Sequence, residues 1–244
     1  TMNRIYIETH RVGVSVKQVN LLGARLARSA AADGQHVLGD ISSTGQMLKP
    51  YGDYSESQVE DTFREQAALL AEAGVDGFIV ETMMDVREAL CAVRACKAVA
   101  TLPVIASLSF QTVDRGGRTV MGSSAAESAV ALAEAGAAAV GANCGDLDPV
   151  EMALIVERMK AAVELPILAQ PNAGKPKLLD GQTVFDMTPE EFCSGIAECL
   201  RAGATLVGGC CGTSPEHIRC VSALLRDTSG DPAKPSSRRP EGRG

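Results

Sequence analysis

The sequence predicts a (β/α)8 barrel, an α/β fold in which a parallel sheet is wrapped in helices. Three observations carry that prediction. Short β-rich runs alternate with amphipathic segments and recur roughly every 25–40 residues, the spacing of βα units. Most of the runs are apolar throughout rather than alternating, as strands buried on both faces of a helix-covered parallel sheet must be. Polar residues capable of chemistry collect at the C-terminal ends of the runs, which a barrel gathers around one mouth. No G-x-G-x-x-G follows an early strand, so a dinucleotide-binding doubly wound sheet has no positive support.

The candidate strands are HVLGDI (36–41), GFIVET (77–82), PVIASLSF (103–110), AAAVGANC (137–144), PILAQP (166–171) and TLVGGC (205–210). A helical pattern over 15–34 precedes the first of them. Apolar spacing predicts further helices over 56–73, 86–98, 124–135, 149–162 and 189–202. Asp148-Pro149, Thr188-Pro189 and Ser214-Pro215 each pair a capping side chain with proline at the first helical position. AEAG (71–74), AEAG (133–136) and LRAG (200–203) each close a helix on glycine before a strand begins. Six strands are found where a complete barrel needs eight. The expectation is therefore a TIM-barrel type domain over residues 1–225, N-terminally truncated to about six βα units. Residues 226–244, rich in Pro, Ser, Gly and Arg, read as a disordered tail.

Composition narrows the function classes. Apolar residues make up 45% of the 244 and aromatics only 3%, with no Trp, so the core is built from Ala, Val, Leu and Ile. The net charge of −7, without a basic stripe, argues against nucleic acid and anionic membrane surfaces as partners. No apolar run approaches the roughly 20 residues that span a bilayer, and the opening TMNRIYIETHRVG does not read as a signal peptide. Eight cysteines in a chain with a core this large point to a reducing, cytoplasmic location rather than to a disulfide framework. Cys91, Cys96, Cys193, Cys199 and Cys220 fall in helical stretches and read as small buried hydrophobes or partly exposed thiols.

Cys144, Cys210 and Cys211 remain. Neighbouring side chains of a strand point to opposite faces, so Cys210 and Cys211 face one point only if the chain leaves strand geometry there. Gly208, Gly209 and Gly212 permit that. Cys144 also ends a strand beside a glycine, and in a barrel it shares the mouth with the pair. Singly, each cysteine could be a small core residue in a glycine-rich turn. Together they make the donor set of a zinc ion with its fourth position open.

GANC, followed by QPNAGKP and GGCCGTSPEHI, resembles the homocysteine S-methyltransferase family over about residues 4–225. Within it, GDISSTG, GVDGFIVET and PNAGKP are most similar to the homocysteine-binding module of cobalamin-dependent methionine synthases. The family's opening strand with DGAMGT-like residues, and its second strand ending near TNTF, are not found. The resemblance implies a (β/α)8 barrel, zinc held by Cys144, Cys210 and Cys211, and the homocysteine thiol as fourth ligand. It also implies that Glu81 binds the substrate's α-amino group. Asp40, Asn143, Ser107 and Thr44 are candidates for the rest of the substrate pocket, while Asn143 and Asn172 are expected to fix the glycine-rich loops. His217, in the first turn of a helix, is not expected to be a ligand.

The expected reaction is methyl transfer to homocysteine, giving methionine. The methyl donor is either methylcobalamin on a separate corrinoid protein or a small cationic donor. No D-x-H-x-x-G segment is present, and three Tyr with five Phe make an aromatic cage for a cationic methyl group hard to assemble. That favours the corrinoid partner. Two other readings stand beside this one: a methyltransferase for another thiol or selenol such as selenocysteine, and an inactive zinc-binding scaffold subunit of a corrinoid methyltransferase system.

Overall fold

A computed structural model describes residues 2–228. Six strands form one parallel sheet: β1 (Leu38–Ser42), β2 (Gly77–Met83), β3 (Val104–Leu108), β4 (Ala139–Asn143), β5 (Ile167–Gln170) and β6 (Leu206–Val207). Their order in space is their order in the chain. The helices are α1 (Arg4–Thr9), α2 (Val16–Ala30), α3 (Glu56–Glu72), α4 (Val86–Val99), α5 (Ala125–Glu134), α6 (Pro149–Ala162), α7 (Pro189–Arg201) and α8 (Pro215–Thr228). From α2 to α8 each helix packs on the next. A doubly wound sheet reverses its strand order at a switch point and places helices on both faces. Unreversed order with one running layer of helices is instead the winding of a βα barrel. Among the described residues β1 and β6 each have a single strand neighbour, so the sheet is open.

Local chemistry explains the helix boundaries. Ser55, Ser124, Asp148 and Thr188 each form a capping box with Gln58, Glu127, Glu151 and Glu191, and Pro149 and Pro189 open their helices. The helix-ending glycines of the three repeated phrases, Gly74, Gly136 and Gly203, all have positive φ. Strands β2 and β4 are almost wholly buried, as parallel strands covered by helices should be. Edge strand β1 instead alternates, with Leu38 and Asp40 exposed. Phe63, Phe78, Leu132, Ile155 and Met159 are fully buried in the main core between sheet and helices.

Three elements went unpredicted. α1 is capped by Asn3, whose side chain also donates to the Ser42 and Ser43 carbonyls and so ties the helix to the end of β1. Two antiparallel hairpins (110–119 and 177–184) project beyond the ends of β3 and β5. α8 runs on to Thr228, past the expected domain boundary at Leu225. The rest of the predicted tail, 229–244, lies outside the described residues. No helix among the described residues is long and apolar enough to cross a membrane.

Candidate metal centre

The sulfur positions follow from where β4 and β6 stop. Cys144 is the first residue after β4 and takes a left-handed φ of 58°, which turns its side chain out of strand alternation. Cys210 and Cys211 follow β6 through Gly208 and Gly209, and Gly212 with φ of 77° turns the chain away. The strand between them, β5, supplies a spine. The Gln170 carbonyl at its end and the Pro171 carbonyl just beyond it accept from the Cys144 and Cys210 N–H groups at 3.1 and 2.9 Å. The Asn172 side chain then spans the gap, donating to the Gly145 carbonyl at 2.9 Å and accepting from the Cys211 N–H at 3.1 Å.

The result is a cluster whose three Sγ atoms all lie within 4.8 Å of one another, with Cys144 and Cys211 at 3.7 Å. A tetrahedral zinc ion with metal–sulfur bonds of about 2.3 Å needs sulfurs roughly 3.8 Å apart. The Cys144–Cys211 pair matches that span, and Cys210 lies within 4.8 Å of both. Cys144 and Cys210 are half-buried and Cys211 is exposed, so the cluster opens to solvent. Protons leave it unequally. A hydrogen bond from the Cys210 thiol, helped by the Gly145 N–H, Cys211 and Asn172, lowers Cys144 to about 6. The same bond and burial push Cys210 up, and burial with the Cys144 charge pushes Cys211 up. One thiolate forms readily and two more are resisted, so a divalent cation is the natural complement.

The other cysteines behave differently. Burial raises Cys91 to about 11 and Cys96 and Cys199 to about 12, which keeps these thiols protonated. His217 is spoken for: Nδ1 accepts from the Ser214 N–H at 3.1 Å and Nε2 meets the Met187 carbonyl at 3.0 Å.

Of the two carboxylates, Asp40 stands in the middle of β1 and Glu81 in the C-terminal half of β2. Glu81 is half-buried, and its carboxyl is raised to about 7, chiefly by burial and then by the charges of Asp40 and Cys144. A carboxylate in that position gains from a bound cation. Ser107 and Asn143 are fully buried, and the Ser107 hydroxyl donates to Asn143 Oδ1 at 2.5 Å. Thr44 is fully buried in the loop after β1.

A residue without a signal in the sequence holds that loop. Glu88 of α4 is 3% exposed and accepts from the Ser43 hydroxyl, the Thr44 N–H and the Thr44 hydroxyl at 2.7–2.8 Å. In the sequence it is one polar residue of an amphipathic helix, and nothing marks it as turned inward.

Close backbone approach makes Gly145 irreplaceable. Its φ is 74°, and a Cβ there would stand 2.2 Å from the Phe110 carbonyl oxygen. Gly145→Ala is expected to cost at least about 3 kcal/mol, combining left-handed strain with a clash against backbone. Urea denaturation of the metal-free protein checks this, a loss below about 1 kcal/mol refuting it.

A parallel βα fold wound in one direction, with three convergent thiols at the C-terminal mouth of its strands, defines the class: a barrel-type protein with a thiol site suited to a metal. The pattern that describes homocysteine S-methyltransferases matches residues 2–225, and the chain belongs to that family. The methionine synthase of Mycobacterium tuberculosis is 29% identical over 222 residues, covering 86% of this chain and 18% of that protein. The methionine synthase of Mycobacterium leprae gives the same figures. The chain thus spans less than a fifth of the length of these relatives. The homocysteine methyltransferase MmuM from Escherichia coli, in its oxidized form, superposes with a TM-score of 0.70 at 20% identity, covering 91% of this chain and 76% of that one. Its metallated form gives 0.66 at 19% identity, covering 90% and 75%. These likenesses establish the fold.

Proposed function

We propose that the chain is a zinc-dependent methyltransferase that moves a methyl group to the thiol of L-homocysteine, forming methionine in the cytoplasm. The observation that carries this reading is the convergence of the Cys144, Cys210 and Cys211 sulfurs within 4.8 Å of one another beside the half-buried Glu81. Family membership and relatives named methionine synthase support it.

A free alkyl thiol has a pKa of about 8.5, so only a few per cent is ionised at neutral pH. Zinc held by the three cysteines would take the homocysteine thiol as fourth ligand and keep it as a nucleophilic thiolate. The remaining work falls to the chain. Glu81, with Asp40 adding negative charge, binds the α-ammonium group. Ser107 and Asn143 shape the pocket from beneath. The thiol proton leaves to water at the open mouth beside Cys211. The sulfur then forms a bond to the methyl carbon while the electrons of the breaking bond depart with the leaving group, so the protein's task is to align the two. The donor favoured by the scarcity of aromatic residues is methylcobalamin.

Zinc analysis combined with X-ray absorption tests the reading. One zinc per chain is expected, and homocysteine should change the zinc–sulfur coordination. Metal without that change would instead identify a zinc-binding scaffold. Assaying methionine formation against methylcobalamin, betaine and S-methylmethionine then separates the donors.

A further inference from the structure

We infer that Asn143 is a positioning residue that sets the span between the sulfur end and the amine end of the substrate pocket, and thereby which aminothiol fits. This inference rests on the reading of the pocket given above. The Asn143 side chain is fully buried at the end of β4 and reaches three other segments. Its Oδ1 accepts from the Thr82 N–H at 2.8 Å and the Ser107 hydroxyl at 2.5 Å. Its Nδ2 donates to Thr82 Oγ1 at 2.7 Å and meets Cys210 Sγ at 3.8 Å. A carboxamide offers two N–H donors and two lone pairs, and all four are used inside the protein.

These partners give the contact its meaning. Thr82 has a φ of 57°, a conformation that a β-branched residue adopts only when its surroundings impose it. The β2–β3 register also shifts between Val80 and Met83, across Glu81 and Thr82. Asn143 grips both the N–H and the hydroxyl of Thr82, and the Ser42 hydroxyl donates to the Glu81 carbonyl at 3.0 Å. The backbone around Glu81 is thus held from both sides. One short side chain, locked in place, couples that backbone to the sulfur of Cys210. A substrate bridging the two ends must match a fixed length. Homocysteine and cysteine carry the same ends and differ by one methylene, a difference that a rigid pocket converts into roughly 10–200-fold selectivity.

The test uses the full chain loaded with zinc, with homocysteine and cysteine as titrants and a chromophoric chelator to measure zinc affinity. The parent should prefer homocysteine by at least about tenfold. Asn143→Ala should lower zinc affinity by about 10–100-fold and bring the preference at least about fivefold closer to unity. Thr82→Val removes the gripped hydroxyl, keeps the branched shape and leaves Cys210 in contact with Asn143. It should erode the preference while leaving zinc affinity within about threefold, a split that general destabilisation would not produce. Should Asn143→Ala not fold, Thr82→Val decides alone. Preference unchanged within about twofold in the folded variants, with a parent that does bind homocysteine, overturns the inference and leaves the methyltransferase reading intact. A zinc-loaded parent that binds no homocysteine overturns the methyltransferase reading, and this inference falls with it.

Discussion

Cys210→Ser and Cys144→Ser are each expected to bring bound zinc from about one ion per chain to less than about a tenth at free zinc buffered about tenfold above the parent's Kd, and to lower methyl transfer by at least about a thousandfold. A structural zinc site holds its ion with about 10–16 kcal/mol. Shared among its ligands, each thiolate accounts for about 3–4 kcal/mol, or two to three powers of ten in affinity. The rate loss has two sources. Without the ion only about 3% of a thiol with pKa 8.5 is ionised at neutral pH, about thirtyfold, and loss of a fixed sulfur position removes at least a comparable factor. Cys211→Ser should follow the same pattern, because its sulfur stands 3.7 Å from that of Cys144. Cys96→Ser and Cys199→Ser serve as controls: both thiols are buried away from the cluster and should cost stability while leaving zinc content unchanged. Elemental analysis with a methionine-formation assay decides the matter. Retention of zinc and activity by Cys210→Ser would remove the basis of the proposed function.

The second large effect concerns Glu81. Glu81→Gln should weaken homocysteine binding by about 10–100-fold, the loss expected when an ammonium group loses its charged partner. Its pH dependence identifies the mechanism. In the metal-free protein burial, more than any charge, raises the Glu81 carboxyl to about 7, and burial persists when zinc binds, so at acid pH ammonium binding must first expel a proton. Parent affinity should then fall by about one power of ten per pH unit more steeply than that of Glu81→Gln. The stability effect runs the other way. A carboxyl with a raised folded-state pKa binds its proton more tightly when folded, so stability is gained as pH falls from about 7 and is complete below the ordinary value of 4.5. Above pH 7 the buried charge is a net cost. Metal-free Glu81→Gln should therefore melt higher than the parent at pH 8, by about 2–4 °C for about 1 kcal/mol after discounting for solvent screening, and the difference should vanish near pH 4. Isothermal titration and thermal melts over that range check both signs. Equal pH slopes in the two proteins would assign the amine to another group.

Some of this was written in one dimension. The capped helix starts, the glycine stops and the apolar strand runs are local, and each stands close to its expected place because a few neighbouring residues fix backbone geometry there. The Asp180-Gly181 turn of the second hairpin carried a recognisable signal too, since both residues take positive φ. The three cysteines announced themselves by type and by their glycine neighbours. Other features have no local cause. That Glu88 turns inward to hold the Ser43–Thr44 loop is decided by where α4 lands against β2 and α3. That Asn143 divides its four hydrogen bonds among Thr82, Ser107 and Cys210 depends on strands brought together only by the sheet order. The lowered thiol of Cys144, and the raised carboxyl of Glu81, likewise arise from groups far apart in the chain made neighbours in a partly dry mouth. Sequence by itself determined which elements form and which atoms could bind a metal. The tertiary structure decided their mutual distances, because hydrogen bonding and electrostatics fall off over a few ångströms that only the folded chain sets.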